Sequence, residues 1–225
     1  MAEVIALFPL SSVLLPGMPL PLHIFEQRYR DLLDDLTAAP EGARFGVVAL
    51  RSGTETLSGS ERLGTPDVEG IGTLAEILEV NQQEDGSSDV LSVGSRRFHV
   101  ESLIADGKPY LRAEVNFLDE PDGPLDDDRA AVTQELMTAY DTLLARLAGR
   151  ATGGELPADP NQLAYQAGAR LPLQPADRQS LLDIETTAER LGRLNRLLRR
   201  ELALLRHTRT IAVAPSVVRL AAGRN

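Results

Sequence analysis

The sequence predicts an α+β protein, with a β-rich first part that holds one early helix and an all-helical second part. Two spacing patterns and one charge asymmetry carry that expectation. Up to about residue 118, apolar residues fall in short runs, continuous or alternating, separated by Gly, Pro, Asp and Ser. Beyond residue 126 they recur three and four positions apart, the spacing of one helical face. Residues 1–125 hold 9 Lys and Arg against 21 Asp and Glu, whereas residues 126–225 hold 14 against 12.

The elements follow in order. Val4-Ile5-Ala6-Leu7-Phe8 reads as a strand that ends at Pro9, where ladder pairing is hard to continue. Pro16-Gly17 is a turn signal, and Pro19 and Pro21 break up what comes after it. Phe25, Tyr29, Leu32, Leu33 and Leu36 share one face of a helix expected over residues 24–37, stopped near Pro40 and Gly42. Phe45-Gly46-Val47-Val48-Ala49-Leu50 reads as a nearly continuous apolar strand. Residues 52–70, rich in Gly, Ser, Thr and Glu, read as a long loop. Three more strands are expected at 71–80, at 90–103 with an interruption near Gly94, and at 110–118. In the last, Leu111, Ala113, Val115 and Phe117 alternate with Arg112, Glu114 and Asn116. Five or more short strands with one early helix suggest a small closed or nearly closed β-barrel.

In the second part, Asp126-Asp127-Asp128 can cap a helix carrying Val132, Leu136, Tyr140, Leu143 and Leu147, which Ala151-Thr152-Gly153-Gly154 breaks. Asp159-Pro160 supplies an N-cap with Pro at the first helical position. A short helix is expected at 176–184. Thr186 and Glu189 have capping-box spacing and introduce a helix of about twenty residues with a stripe of Leu191, Leu194, Leu198, Leu202 and Leu205. Residues 208–225 lack a strong pattern. The expected division is 1–122, 123–207 and a tail at 208–225.

Composition narrows the function. The chain has no Cys, which removes disulfides, thiolate metal sites and cysteine nucleophiles together. The start Met1-Ala2-Glu3 has no basic leader, and no apolar run nears the ~18 residues of a membrane span, so a soluble cytoplasmic protein is expected with no membrane partner. The acidic first half disfavours nucleic acid as the main ligand. Residues 190–209, with seven Arg and one Glu, are the exception; few aromatics accompany them, and a solvated or internally paired face is the favoured account.

No constellation reads as catalytic. Lys108, the one lysine, sits in Asp-Gly-Lys-Pro, the wrong setting for a P-loop and a poor one for a serine–lysine dyad. His23, His99 and His207 lie in distant segments without metal-ligand spacing. Ser12, Ser58 and Ser95 lack a nucleophile-elbow context. Gly72 and Gly94, isolated in strand patterns, suggest bulges or close backbone approach. Glu26, Arg28 and Arg30 read as capping or pairing at a helix start. The stretch from Ser12 to Leu22 is the best binding candidate, with apolar residues crowded around prolines; Leu14, Leu15 and Met18 are its candidate contacts.

Several blocks resemble a known family. Leu7-Phe8-Pro9-Leu10, then Pro16-Gly17-Met18-Pro19-Leu20-Pro21-Leu22-His23-Ile24-Phe25-Glu26-Gln27-Arg28-Tyr29-Arg30, resemble the opening signature of the Lon protease N-terminal domain. Phe45-Gly46-Val47-Val48, Ile71-Gly72-Thr73-Leu74-Ala75-Glu76-Ile77 and Gly94-Ser95-Arg96-Arg97-Phe98-His99-Val100 are similar to its later strands. Gln162-Leu163-Ala164, Gln179-Ser180-Leu181-Leu182 and Glu189-Arg190-Leu191 are similar to its helical part. The resemblance implies a PUA-like β-barrel with one inserted helix, followed by a C-terminal α-helical bundle. It also implies a non-enzymatic, stand-alone module, without cofactor or metal, that binds exposed or unfolded polypeptide segments and serves a separate protease or chaperone as an adaptor. Self-association stays open. The competing expectation is an RNA-binding or regulatory module on the same scaffold.

Overall fold

The computed structural model describes residues 2–38, 43–51, 67–124, 127–148 and 153–208. Among them six strands share one sheet with five helices: β1 (Glu3–Leu10), β2 (Pro19–Ile24), α1 (Gln27–Thr37), β3 (Arg44–Ala49), β4 (Ile71–Gln82), β5 (Ser88–Ile104), β6 (Leu111–Phe117), α2 (Asp127–Ala148), α3 (Pro160–Arg170), α4 (Pro175–Asp183) and α5 (Thr187–Thr208). The class is mixed α+β. The chain divides into two compact units, with the boundary between Leu118 and Asp119.

In the first unit the strand order is β2-β5-β4-β3-β1-β6, and a further β5–β6 pairing joins the end of that order back to β5. β1 and β3 run parallel; the other pairs are antiparallel. β1 is buried on both faces. Phe8 and Leu10 join Tyr29, Leu32 and Leu33 of α1 in one cluster, while Ile5 and Leu7 join Leu74, Phe98, Ala113 and Val115 in another. That double burial is why β1 reads as an unbroken apolar run rather than an alternation.

Two expectations change here. β1 does not stop at Pro9: it continues to Leu10, paired with Ala49 of β3. β6 accompanies β1 only from Glu3 to Leu7, so Pro9 falls where no neighbour on that side needs an N–H. Residues 19–24, broken by prolines in the sequence, form β2, and α1 consequently starts at Gln27 rather than Ile24. Glu26 supplies no side-chain cap; it pairs with Arg28 at 2.8 Å. Most of the loop expected at 52–70 lies outside the described residues, as do residues 209–225.

β5 is the spine of this unit. It keeps β4 on one side, and on the other it pairs with β2 over Ser88–Val93 and with β6 over Phe98–Ile104. The exchange of partner happens at Gly94. There Gly17 N–H donates to the Gly94 carbonyl (2.8 Å), and Gly94 N–H donates to the Met18 carbonyl (3.0 Å). The crossing turn is Leu15-Pro16-Gly17-Met18, closed by Met18 N–H to the Leu15 carbonyl (3.0 Å) with Gly17 at φ 75°. Pro followed by a positive-φ Gly is what such a turn requires. A Cβ on Gly94 would overlap the Leu15 carbonyl oxygen, so close backbone approach explains this glycine.

The second unit carries the helices. Asp159 accepts a hydrogen bond from Gln162 N–H (2.8 Å) at the start of α3. Before α5, the Thr186 hydroxyl accepts from Glu189 N–H (3.3 Å) and donates to the Glu189 carboxylate (3.0 Å), so the box closes side chain to side chain. All five leucines of the α5 stripe are buried, four of them with Met137 and Tyr140 of α2, and Leu191 with Leu163 and Ala164 of α3. α5 N–H groups of Thr187 and Ala188 donate to the carbonyls of Pro121 and Asp122, both at 2.9 Å. Beside them the wholly buried Arg190 guanidinium pairs with Glu120 (3.0 Å), donates to the carbonyls of Leu181 (3.1 Å) and Ile184 (2.7 Å), and stacks 4.4 Å over Tyr165. Tyr165 donates to the same carboxylate at 2.9 Å.

Replacing Gly94 with Val should destabilise the first unit by about 1–3 kcal/mol in urea titration, whereas Ser102→Ala, at an exposed site on the same strand, should stay within about 0.5 kcal/mol. Arg190→Met should cost roughly 3 kcal/mol, because it strands one carboxylate and two carbonyls, and Glu120→Gln should cost less. Burial pushes the Tyr29 hydroxyl up to about 12. Its contribution is therefore intact below pH 10 and declines between pH 10 and 12, at about 1.4 kcal/mol per pH unit. Tyr29→Phe should flatten the alkaline limb of a stability-versus-pH curve measured up to pH 11.

Candidate functional site

The pleat of β2 sorts its side chains. Leu20, Leu22 and Ile24 turn toward the core, while Pro19 and His23 are exposed and Pro21 is half-buried. The pairing register places β2, β5 and β4 in rows: Pro19–Val93–Glu76, then Pro21–Leu91–Glu79, then His23–Asp89–Asn81. Residues in such a row share a face and stand about 5 Å from strand to strand. The ladder slips between Ile77 and Glu79, which leaves Leu78 as the extra residue of a bulge. Leu78 and Glu79 are both exposed, between Ile77 and Val80, which pack inward. Leu78 is 63% exposed and Leu91 37%, two of the most exposed large apolar side chains among the described residues. The outcome is an apolar strip of Pro19, Pro21, Leu91, Val93 and Leu78 on the paired sheet.

Its border is acidic. Residues 19–24 and 71–94 contain Glu76, Glu79, Glu84, Asp85 and Asp89 but no Lys or Arg. Asp89 takes hydrogen bonds from His23 (2.8 Å) and Gln83 (3.0 Å), and Glu79 from Asn81 (3.0 Å). The Ser87 hydroxyl and N–H hold the Asp85 carboxyl below the usual carboxylate range. Arg30 of α1 reaches the turn at Gly86 beside Asp85, and Arg44 of β3 stands opposite Glu76 in the ladder, where it pairs with Glu3 at 2.8 Å.

The outer edge of β2 does not invite another strand. The Gly94 N–H to Met18 carbonyl bond fixes the even-numbered residues as those bonded to β5. Pro19 and Pro21 occupy positions whose N–H would point outward, and neither has one. Two of the three outward donors of this edge are therefore missing. Contact through side chains on the face is the mode the geometry permits, and strand addition at β2 is disfavoured.

Of the residues singled out in the sequence, Leu14 and Leu15 are core: Leu15 is 0% exposed, and Leu14 packs with Phe8, Leu22 and Phe45. In this conformation they offer a partner no side-chain surface. Met18 is half-buried against the same cluster, on the inward side of β2. The apolar strip lies on the opposite side of the same stretch. The strip exists only in the pairing register, since nothing local in the sequence marks Leu78 as unpaired.

The other candidates resolve into structural pairs. Lys108 contacts Asp35 at 2.7 Å, and that hydrogen bond holds its ammonium above the ordinary range, the opposite of what a base requires. His23 pairs with Asp89 and His99 with Glu101 (3.0 Å). Ser95 donates to the Leu74 carbonyl (3.2 Å); Ser58 lies outside the described residues. On α5, Arg193 pairs with Asp177 and Arg200 with Asp177 and Glu201, each near 2.8 or 2.9 Å, while Arg196, Arg199 and Arg206 are exposed. A depression of about 560 Å³ in the helical unit is lined by Gln134, Thr138, Asp141 and Thr142 with Glu155 and Leu156; the Thr138 hydroxyl donates to the Gln134 carbonyl (2.8 Å) and Asp141 pairs with Arg170 (3.7 Å). Among the described residues no helix is long and apolar enough to cross a membrane.

The chain is 27% identical to Lon protease 2 of Syntrophobacter fumaroxidans over 90% of its own length, and 27% identical to Lon protease of Escherichia coli K12 over 89%. In both cases it spans about a quarter of the relative, 25%. A Lon N-terminal domain protein from Xanthomonas campestris has a similar structure, with TM-score 0.61 and 25% identity, over 85% of this chain and 96% of that one. The N-terminal domain of Mycobacterium avium complex Lon protease shares the fold at 20% identity, TM-score 0.61, over 89% of this chain and 98% of that one. The family model described as ATP-dependent protease La (LON) substrate-binding domain matches residues 4–200, and the chain belongs to that family.

Proposed function

We propose that this chain is a non-enzymatic polypeptide-binding module that holds exposed apolar segments of other proteins against the outer face of β2, β5 and β4. One observation carries the proposal. Leu78 and Leu91 stand exposed beside Pro19, Pro21 and Val93 on a sheet whose β2 edge lacks two of its three outward donors. Apolar strips of this kind with a polar border mark interaction sites. Membership of a substrate-binding domain family supports the same role.

Of the three residues first singled out, Met18 is half-buried on the inward side, and with Leu14 and Leu15 it would serve this face from beneath, by fixing the turn. We read the strand pairings as a PUA-like β-barrel and α2 to α5 as a helical bundle, with functional divisions at 1–122, 123–207 and 208–225. In the cytoplasm such a module would present bound segments to a separate protease or chaperone. The acidic border makes phosphate a poor ligand for this face.

The test is calorimetry with a permanently unfolded protein. The chain should bind it, and Leu78→Glu combined with Leu91→Glu should weaken binding at least tenfold while the double variant still unfolds in one cooperative urea transition; any loss of stability falls on Leu91, which is 37% exposed against 63% for Leu78. No heat of binding for the unaltered chain, or unchanged affinity in the double variant, would sink the proposal.

A further inference from the structure

We infer that the segments favoured by this face are apolar stretches flanked by Lys or Arg, and that acidic flanks are rejected. The preference rests on the polypeptide-binding role proposed above and names the substrate class of that same face. Its basis is the one-sided arrangement of charge. On the β4 side of the apolar strip stand Glu76 and Glu79, each one strand away from Val93 and Leu91. At the hairpin end stand Glu84, Asp85 and Asp89. No ion pair joins Glu76, Glu79 or Glu84 to a Lys or Arg among the described residues: Arg44, the β3 neighbour opposite Glu76, is taken by Glu3 at 2.8 Å, and Asp89 accepts from His23 and Gln83.

The bulge completes the geometry. It sets Leu78 beside Glu79 on the exposed side, so an aliphatic surface adjoins a carboxylate. A Lys or Arg side chain suits that combination, because its methylene stem can cover Leu78 while its charged head reaches Glu79 or Glu76. A segment whose own residues cover Leu91, Val93 and the two prolines brings its neighbours in sequence over these acids, since successive same-face positions are spaced by about 7 Å on both chains. Asp or Glu at the same flanking positions would meet like charge at that distance.

Three peptides test the inference: one apolar core of five residues flanked by Lys, by Ser or by Asp, each titrated into the full 225-residue chain by fluorescence anisotropy. At about 0.02 M salt the Lys-flanked peptide should bind about tenfold tighter than the Asp-flanked one, and the ratio should shrink to about twofold near 0.5 M. Glu76→Gln with Glu79→Gln should collapse the ratio, with the larger loss falling on the Lys-flanked peptide. Equal binding of the Lys- and Asp-flanked peptides, or a ratio untouched by the double substitution, overturns the charge preference alone. Failure of all three peptides to bind overturns the polypeptide-binding role and the preference with it.

Discussion

At one point in the first unit two backbones come closer than any side chain would allow. The Leu15–Met18 turn passes over Gly94, and two hydrogen bonds tie it there. Because β5 is held at that point, its early half is free to carry β2 and its later half to carry β6. Without the crossing, β2 would have no fixed register, and Pro19, Pro21 and Leu91 would not line up. The apolar strip is thus a product of the same contact that lets one long strand serve two neighbours. Leu15 is buried for the same reason: it belongs to the hinge point of the sheet, not to its exposed face.

The helical unit has its own fixed point. Arg190 gathers Glu120, Tyr165 and the carbonyl ends near α4 around a single buried guanidinium. A planar fork with five donors can satisfy several acceptors at once, which an ammonium could not. The segment that follows β6 is thereby anchored at the start of α5, where its carbonyls also receive the otherwise unpaired helix N–H groups. Much of the Arg-rich character of α5 is spent in this way, on internal acids.

Local pattern was enough for much of this. β6 alternates because one face is buried, and the α5 stripe repeats because one side packs, so both were legible from spacing. Asp159-Pro160 announced α3 by cap chemistry alone. β2 was hidden, because Pro19 and Pro21 look like interruptions until β5 is seen to occupy only one side of them. Leu14 and Leu15 attracted attention for their apolar crowding, but whether a crowded residue is inside or outside depends on a chain crossing seventy-odd positions away in sequence. Leu78 is the clearest case. Ile77-Leu78 reads as an ordinary inward–outward pair, and the slip that leaves two consecutive exposed residues exists only in relation to β5.

The missing donors along β2 bear on time as well as on shape. A partner that cannot build a ladder of backbone bonds is held only by a few side chains, and complexes of that kind differ chiefly in how quickly they come apart. Release would then be rapid. Under the proposed role such a chain would hand bound segments on, and the β2 edge offers little template on which they could grow into fibres.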